Sequence, residues 1–366
     1  MARPVSQECN KRFSMPLIER LAVLTLIARR VMPGVESFRL RRTGSILFLL
    51  LFIFACNDSS VQLPGEGYIR TSDGVRLFYK IVGSGADTLV VVHGGPGNSL
   101  NSILADLEPL AQNRRVIYYD QRGNGRSDLV KDPDKLSISK HIEDLETVRT
   151  HFKLDKLTLL GNSWGGMLIS FYAVAHPDRI ERMVLHSPGE PTKAFMVKAD
   201  EAMQLRLSQQ FSDEQKKRYA FVSDYQNWIN ADEPKTVCRE FYQLLLPFYV
   251  FRQESVSRLK GDLCAGPDET VRYQQFVNEQ IMNSLGDWNL LPSLRAVKSP
   301  VLIIYGEADP AFIETPKAWA QAFPNARLLM ISEAGHIPHV EQPEKFFNAV
   351  ETFLKGNFPP DAKKSE

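Results

Sequence analysis

The segment Leu157-Thr158-Leu159-Leu160-Gly161-Asn162-Ser163-Trp164-Gly165-Gly166 joins a short apolar strand pattern to the start of a helical pattern. Its centre has the form G-x-S-x-G, in which small residues flank the serine because a sharp strand-to-helix turn leaves little room there. Such a turn, called a nucleophile elbow, lifts the serine hydroxyl above the sheet, where the helix N-terminus favours an anion. In this position between strand and helix, the string predicts a nucleophilic Ser163. The alternative is a Gly/Ser turn without a catalytic role.

Runs rich in β-branched and aromatic residues recur on both sides of this segment and predict strands. The predicted strands are 76–82, 88–92, 115–119, 157–160, 182–185, 301–305 and 327–331. Several are uninterrupted apolar runs, which are typical of strands covered on both faces of a parallel sheet. Helical patterns separate them, for example after Ser139, at 165–175 and at 346–354. This alternation predicts an α/β fold with a mostly parallel sheet flanked by helices.

One long stretch interrupts the alternation. Between residues 190 and 292 helical patterns follow one another without a convincing strand, and the middle of the stretch is rich in charged and aromatic residues. We expect a helical cap inserted into a core formed by residues 67–189 and 293–356, with a polar tail at 357–366. Ligands of open α/β sheets bind beyond the carboxyl ends of the strands, so a cap there would cover the site.

A glycine-rich loop, His93-Gly94-Gly95-Pro96-Gly97, directly follows the predicted strand 88–92. In this architecture the loop supplies one backbone N–H to an oxyanion hole, and the residue after the nucleophile supplies the other. We therefore assign the donors to Gly95 and Trp164, with Gly94 as the alternative to Gly95. His93 is expected to brace the loop, because the chain order places the catalytic base near the C-terminus.

Two further polar residues follow the last two predicted strands. Asp309 comes after strand 301–305 and His336 after strand 327–331, which gives the order Ser, Asp, His. His336 would take the proton of Ser163, and Asp309 would orient the imidazole and stabilise its charged form. Glu307 is the rival acid, but it lies closer to the strand end. His339 is the rival base.

The charge of the chain is unevenly distributed. Over 366 residues the net charge is +1, which gives no field to attract nucleic acid. Residues 1–44 hold nine basic and three acidic side chains, and an apolar run of ten residues, 46–55, follows. Ten residues span about 15 Å as a helix, roughly half of a bilayer core, so a spanning anchor is not expected. A basic region, a short apolar region and small Ala55 predict an export signal over 1–55.

The end of this signal indicates how the chain would be attached. The sequence Ile53-Phe54-Ala55-Cys56 resembles the lipobox of bacterial lipoproteins, which predicts lipidation at Cys56 and a polar tether over 56–66. The protein would then be an exported, membrane-anchored lipoprotein; a periplasmic or secreted protein is the alternative. We expect translation to start at Met32, which leaves 1–31 untranslated. The alternative is an amphipathic helix at 17–31 in a genuine long leader.

Two cysteines of the body are left without an assignment. Cys238 and Cys264 lie in the predicted cap and have no metal-site spacing. An exported setting permits a disulfide between them. Two buried free thiols are an equal alternative.

With these motifs the chain, from about 67 to 356, resembles the α/β-hydrolase superfamily, and within it the prolyl aminopeptidase (proline iminopeptidase) family of serine peptidases. The resemblance rests on His-Gly-Gly-Pro-Gly at 93–97, Asp-Gln-Arg-Gly-Asn-Gly-Arg-Ser at 120–127 and Gly-Asn-Ser-Trp-Gly-Gly at 161–166. It implies an eight-stranded sheet, release of an N-terminal residue, often proline, from small peptides, and no metal or organic cofactor. The Asp-Gln-Arg-Gly stretch is expected to be a structural loop with Arg122 ion-paired.

The substrate group that the cap would recognise is a free α-amine. In the family, cap glutamates bind this cation, one of them in a Trp-x-x-Trp-Glu stretch that is missing here. The substitutes considered are acidic residues of the cap: Glu201, Asp224, Asp232, Glu233 and Glu240. We expect a small peptide or ester as substrate, no nucleic acid, and membrane association only through the lipid.

Three functions remain open on the sequence. The first is a serine hydrolase of the aminopeptidase type, and the second is a carboxylesterase or amide hydrolase that uses the same three residues. The third is a non-catalytic ligand-binding lipoprotein on a hydrolase scaffold, against which the complete set Ser163, Asp309 and His336 argues.

Overall fold

The computed structural model describes residues 65–311 and 313–364. The expectations for the signal, Met32, Cys56 and nearly all of the tether lie outside the described residues. Among the described residues, no helix is both long and apolar enough to span a bilayer.

Eight strands of the described chain form one sheet, and seven of them cover the predicted runs. The strands are β1 Glu66–Arg70, β2 Arg76–Val82, β3 Thr88–Val92, β4 Arg115–Tyr119, β5 Leu157–Asn162, β6 Ile180–His186, β7 Val301–Gly306 and β8 Ala326–Ile331. Their order across the sheet is β1-β2-β4-β3-β5-β6-β7-β8. The pairs β1–β2 and β2–β4 are antiparallel, and all other pairs are parallel. The predicted α/β fold with a mostly parallel sheet is therefore confirmed.

Burial on both faces explains why the central strands are uninterrupted apolar runs. Every residue of β7 is buried, and so are Leu89–Val92 of β3. The helices that flank the sheet are α1 Ile138–His151, α2 Trp164–Ala175, α9 Thr315–Ala322, α10 Pro338–Glu341 and α11 Pro343–Leu354. Helix α11 places Phe346, Val350 and Phe353 into the core cluster beneath the sheet.

The residues between β6 and β7 are helical, as the sequence predicts, and we call residues 190–292 the cap segment. Its α-helices are α3 Lys193–Gln210, α4 Asp213–Ser223, α5 Tyr225–Ile229, α6 Pro234–Leu245, α7 Asp268–Arg272 and α8 Gln274–Ser284. Buried polar contacts join it to the core loops. The Gln274 Nε2 donates to Asn98 Oδ1 at 2.8 Å, and the backbone N–H groups of Lys260 and Gly261 donate to the Asp106 carboxylate at 3.0 and 2.8 Å.

A disulfide closes part of the cap segment. Cys238 of α6 and Cys264 are bonded, with Cα atoms 5.9 Å apart, so the structure decides for pairing over two free thiols. The bridge closes a loop of 26 positions, for which the chain-entropy model gives a stabilisation of about 3.5 kcal/mol. Because Cys264 lies in the segment that Asp106 holds, the bridge ties α6 to a part of the cap fixed on the core.

Two other segments fit the core more closely than their polarity suggests. Arg122 is buried and donates to Asp144 at 2.6 and 2.7 Å and to Asp73 at 2.9 Å, so its expected ion pairing is confirmed. Part of the expected polar tail contacts the core: Lys363 pairs with Leu328 of β8, and Ala362 is buried in the core cluster.

Candidate active site

Ser163 occupies the turn between β5 and α2. Its φ and ψ angles are 53° and −120°, a left-handed conformation that is strained for a residue with a side chain. The backbone around it holds this conformation, because Ser163 N–H donates to the His186 carbonyl at 2.9 Å and its own carbonyl accepts from Gly189 N–H at 3.1 Å. A Cβ at Gly165 would lie 2.1 Å from the Val92 carbonyl oxygen, so only glycine allows the helix to approach β3 this closely.

Asp309 and His336 are brought together from the loops after β7 and β8. The His336 Nδ1 lies 2.9 Å from Asp309 Oδ2, and the Asp309 side chain is 4% exposed. Asp309 is held by its own turn, since its Oδ1 accepts from Ala311 N–H at 3.0 Å. The rival acid Glu307 is exposed, and it is Asp309 that bonds the imidazole. This arrangement leaves the His336 Nε2 for a proton transfer.

The cap segment also contacts His336 directly. The His336 backbone N–H donates to the Tyr249 carbonyl at 2.7 Å, and the two rings meet edge to face with centroids 5.1 Å apart. A Cβ at Gly335 would lie 2.4 Å from the Tyr249 carbonyl oxygen, so this contact needs glycine. The position of the candidate base therefore depends on the cap as well as on the sheet.

These side chains open into one cavity of about 190 Å³. Its lining includes Ser163, Asp309 and His336, together with Gly95 and Trp164. The alternative oxyanion donor, Gly94, is not among the lining residues. Trp164 is the first residue of α2, and the first N–H groups of a helix have no partner within it. Both expected donor residues thus lie at the cavity that holds the serine.

A family model described as "alpha/beta hydrolase fold" matches residues 87–343. The chain belongs to the α/β-hydrolase fold family. A proline iminopeptidase of Heyndrickxia coagulans is 26% identical over 309 residues, which cover 79% of this chain and 98% of that protein. A proline iminopeptidase of Saccharolobus solfataricus is 30% identical over 298 residues, which cover 79% and 92%.

An esterase of known structure shares the fold of this chain. The esterase EaEST of Exiguobacterium antarcticum superposes with a TM-score of 0.57 at 20% identity, covering 79% of this chain and 99% of that one. The expected resemblance to an α/β hydrolase of the prolyl aminopeptidase type is confirmed, and the protein is a hydrolase by family.

Two carboxylates of the cap segment line the cavity of this hydrolase, and neither was expected. Glu190 is 3% exposed and accepts a hydrogen bond from the Thr315 hydroxyl. Asp200 lies on α3 with an exposed side chain, and its partial burial at the cavity raises the pKa of its carboxyl. Among the described residues that line the cavity there is no lysine or arginine. The side chains there that carry a charge near neutral pH are therefore carboxylates, apart from His336.

The acids expected from the sequence lie elsewhere. None of Glu201, Asp224, Asp232, Glu233 and Glu240 is among the lining residues of the cavity. Asp224 accepts from Gln226 N–H at the start of α5, and Glu240 is ion-paired with Arg218. Glu201, Asp232 and Glu233 are exposed. Of the acids in the cap segment, it is Glu190 and Asp200 that line the cavity instead.

Helical spacing explains why Asp200 and not Glu201 lines the cavity. Positions 196, 199, 200 and 203 are three or four residues apart, so they share one face of α3, and all four line the cavity. Glu201 is one residue further on and points about 100° away around the helix. What the sequence lacked was which face of α3 turns toward the cavity.

The rival bases are held in other roles. The His339 Nδ1 lies 3.2 Å from the His186 Nε2, and both rings are buried. His93 Nδ1 bonds the Gly94 carbonyl at 2.8 Å while its Nε2 accepts from Gln121 N–H at 3.2 Å, as expected for a residue that braces the loop. His339 and His93 are absent from the cavity lining.

We expect His339→Asn to make the folded protein less sensitive to acid. Burial, with the nearby His336 charge, lowers the pKa of His339 to about 3, below its ordinary 6.5. Below pH 6.5 the unfolded chain therefore binds a proton that the folded chain does not, and stability falls as the pH drops toward 3. Between pH 8 and pH 5 this one group should account for about 2 kcal/mol of lost unfolding free energy.

Urea unfolding at pH 8 and at pH 5 measures the effect. The loss between the two pH values should be smaller in His339→Asn than in the wild type. Equal losses in the two proteins would show that His339 is not held neutral by the fold.

Proposed function

We propose that this hydrolase is a serine aminopeptidase of the prolyl-aminopeptidase type, which releases N-terminal residues, including proline, from short peptides. The observation that carries the proposal is the pair of carboxylates, Glu190 and Asp200, in the same cavity as Ser163 and His336. A substrate with a free N-terminus carries an ammonium group, and carboxylates bind it through charge-assisted hydrogen bonds. The proline iminopeptidase relatives support the same reading.

In the proposed reaction the Ser163 Oγ attacks the first carbonyl carbon of the peptide. His336 takes the serine proton and returns it to the leaving amine, while Asp309 stabilises the imidazolium. The Gly95 and Trp164 N–H groups stabilise the oxyanion. Water then hydrolyses the acyl-enzyme by the same steps in reverse roles, with His336 as the base.

The size and surface of the cavity support a small substrate. Its volume of about 190 Å³ is below the roughly 300–1,000 Å³ of pockets for drug-sized ligands. Its apolar lining includes Met167, Met196, Met203 and Met282. Methionine side chains adapt to irregular apolar shapes, so this lining suits a proline ring or another small apolar side chain.

We also propose that the enzyme works outside the cytoplasm. The Cys238–Cys264 disulfide supports this, because such bonds persist in oxidising compartments. The basic head, the short apolar run and Cys56 support export with a lipid at Cys56, with a periplasmic or secreted form as the alternative. Peptides and amides that reach the cell exterior would then be its substrates.

A substrate panel tests the proposal. We expect the arylamides of proline and alanine with free amines to be hydrolysed, and their N-acetylated forms to react about 10- to 100-fold more slowly, since a charged hydrogen bond is lost. Short- and long-chain acyl esters complete the panel. Turnover of esters without turnover of free-amine arylamides would instead support the carboxylesterase, which the fold likeness to EaEST keeps in view.

A further inference from the structure

The side chain of Gln121 connects the two loops that form the proposed oxyanion hole. Gln121 is the second residue after β4 and is 1% exposed. Its Nε2 donates to the His93 carbonyl at 3.0 Å, and its Oε1 accepts from the Trp164 indole Nε1 at 2.9 Å. One amide group therefore contacts the residue that precedes the glycine loop and the residue that follows the nucleophile.

The backbone of Gln121 also contacts the first loop. The Gln121 backbone N–H donates to the His93 Nε2, and the opposite ring nitrogen bonds the Gly94 carbonyl. His93 is thus attached to Gln121 through both its carbonyl and its ring. Gly95 lies two residues further on and has a φ of 119°, a conformation that favours glycine.

The second contact holds the side chain of Trp164, which is 2% exposed. The His141 ring packs edge to face against the indole, with centroids 6.3 Å apart. Because the indole has one N–H, the Gln121 oxygen fixes how deep and at what angle the ring lies. The backbone N–H of the same residue is the second proposed oxyanion donor.

Gln121 is itself held by a rigid loop, the Asp120–Ser127 stretch. The Asp120 carboxylate accepts from the backbone N–H groups of Leu100 and Arg126, each at 2.7 Å. The Ser127 hydroxyl donates to the Asp120 carbonyl at 2.6 Å, and Asn124 N–H donates to the Gln121 carbonyl at 3.1 Å. These bonds hold the backbone of Gln121, and with it the side-chain amide, in one place.

We propose that Gln121 is a positioning residue that sets the distance between the two oxyanion donors, Gly95 N–H and Trp164 N–H. Donors act only when they lie about 2.7–3.1 Å from the place that the oxyanion takes. Loss of one donor costs about 10²–10³ in rate, so a shift of both by a few tenths of an ångström costs part of that. The inference rests on the proposed serine mechanism and deepens it.

Gln121→Met tests the inference, since it keeps the side-chain length and removes the side-chain hydrogen bonds to the His93 carbonyl and the Trp164 indole. We expect kcat to fall about 10- to 100-fold while KM changes less than about threefold, because substrate binding depends on the cap cavity. The rate at which a fluorophosphonate labels Ser163 should fall in parallel, since its phosphoryl oxygen uses the same donors. Thermal unfolding confirms that each variant is folded.

Gln274→Met is the matched control. Gln274 is also a buried glutamine that loses its side-chain hydrogen bonds, to Asn98, Tyr242 and the Leu263 carbonyl, and none of these bonds is to His93 or Trp164. Its kcat and labelling rate should stay near those of the wild type. An equal loss in both variants would overturn the positioning role and leave a general packing effect.

A second variant keeps the test decisive if Gln121→Met fails to fold. Trp164→Phe removes the indole N–H, and we expect a smaller fall in kcat in the same direction. In the double variant the second substitution should add little, because the shared bond is already lost. Wild-type kcat in either folded single variant would overturn the inference. A wild-type protein that the fluorophosphonate does not label would instead overturn the serine mechanism, and the inference with it.

Discussion

Ser163→Ala and His336→Ala should each lower turnover by about 10⁴–10⁶ while leaving the fold intact. The alanine at 163 removes the attacking oxygen, and the alanine at 336 removes the group that accepts its proton. Because these residues act as a unit, the double variant should be no slower than either single variant. The measurement is kcat on the best substrate of the panel, with thermal unfolding as the check on folding.

The control for the base is His339→Asn, which should keep kcat within about tenfold of the wild type. His339 is three residues from His336 but bonds His186 instead of Asp309. Near-normal turnover in His336→Ala, with a loss in His339→Asn, would show that the base is assigned to the wrong histidine. Normal turnover in Ser163→Ala would exclude the acyl-enzyme altogether.

Asp200→Asn should lower kcat/KM for prolyl arylamide with a free amine by about 10- to 100-fold. The amide keeps the shape of the side chain but removes the charge that pairs with the ammonium group, and hydrogen bonds to charged groups are worth about 1.5–3 kcal/mol. A short acyl ester has no ammonium group, so its kcat/KM should change little. The change in specificity, rather than in overall rate, is the diagnostic result.

Glu201→Gln is the matched control for this substitution. It removes the same charge one position along α3, on a side chain that is exposed like that of Asp200 but does not line the cavity. We expect less than about a threefold change in kcat/KM for either substrate. Equal effects of the two variants, or an equal loss on amine and ester in Asp200→Asn, would show that Asp200 does not bind the amine.

The sheet could be predicted from the sequence because its central strands are buried on both faces. Apolar β-branched runs such as Val301–Tyr305 are typical of such strands, and the structure confirms this strand. Strand β1, Glu66–Arg70, escaped prediction because it is short and polar and owes its conformation to pairing with β2. The position of Ser163 after β5 followed from the elbow motif, which depends on local backbone geometry.

The cap could be predicted as helical, but not how its helices dock. Asp200 and Glu201 are neighbouring acids of the same helix, and only the orientation of α3 over the cavity separates the one that lines it. The disulfide is similar, since Cys238 and Cys264 are 26 positions apart and meet only when the loop beyond α6 returns to that helix. Gln121 lies in a motif that we expected to be structural. Its link to Trp164 could not be predicted, because a contact across 43 positions leaves no local pattern in the sequence.

The most direct test of the serine mechanism is to treat the folded wild-type protein with a fluorophosphonate and to map the labelled peptide by mass spectrometry. We expect one stoichiometric label on Ser163, loss of all hydrolysis in proportion to labelling, and no label in Ser163→Ala or in urea-unfolded protein. Folded protein that stays unlabelled, or that carries the label on another residue, would contradict the assignment of Ser163 as the nucleophile.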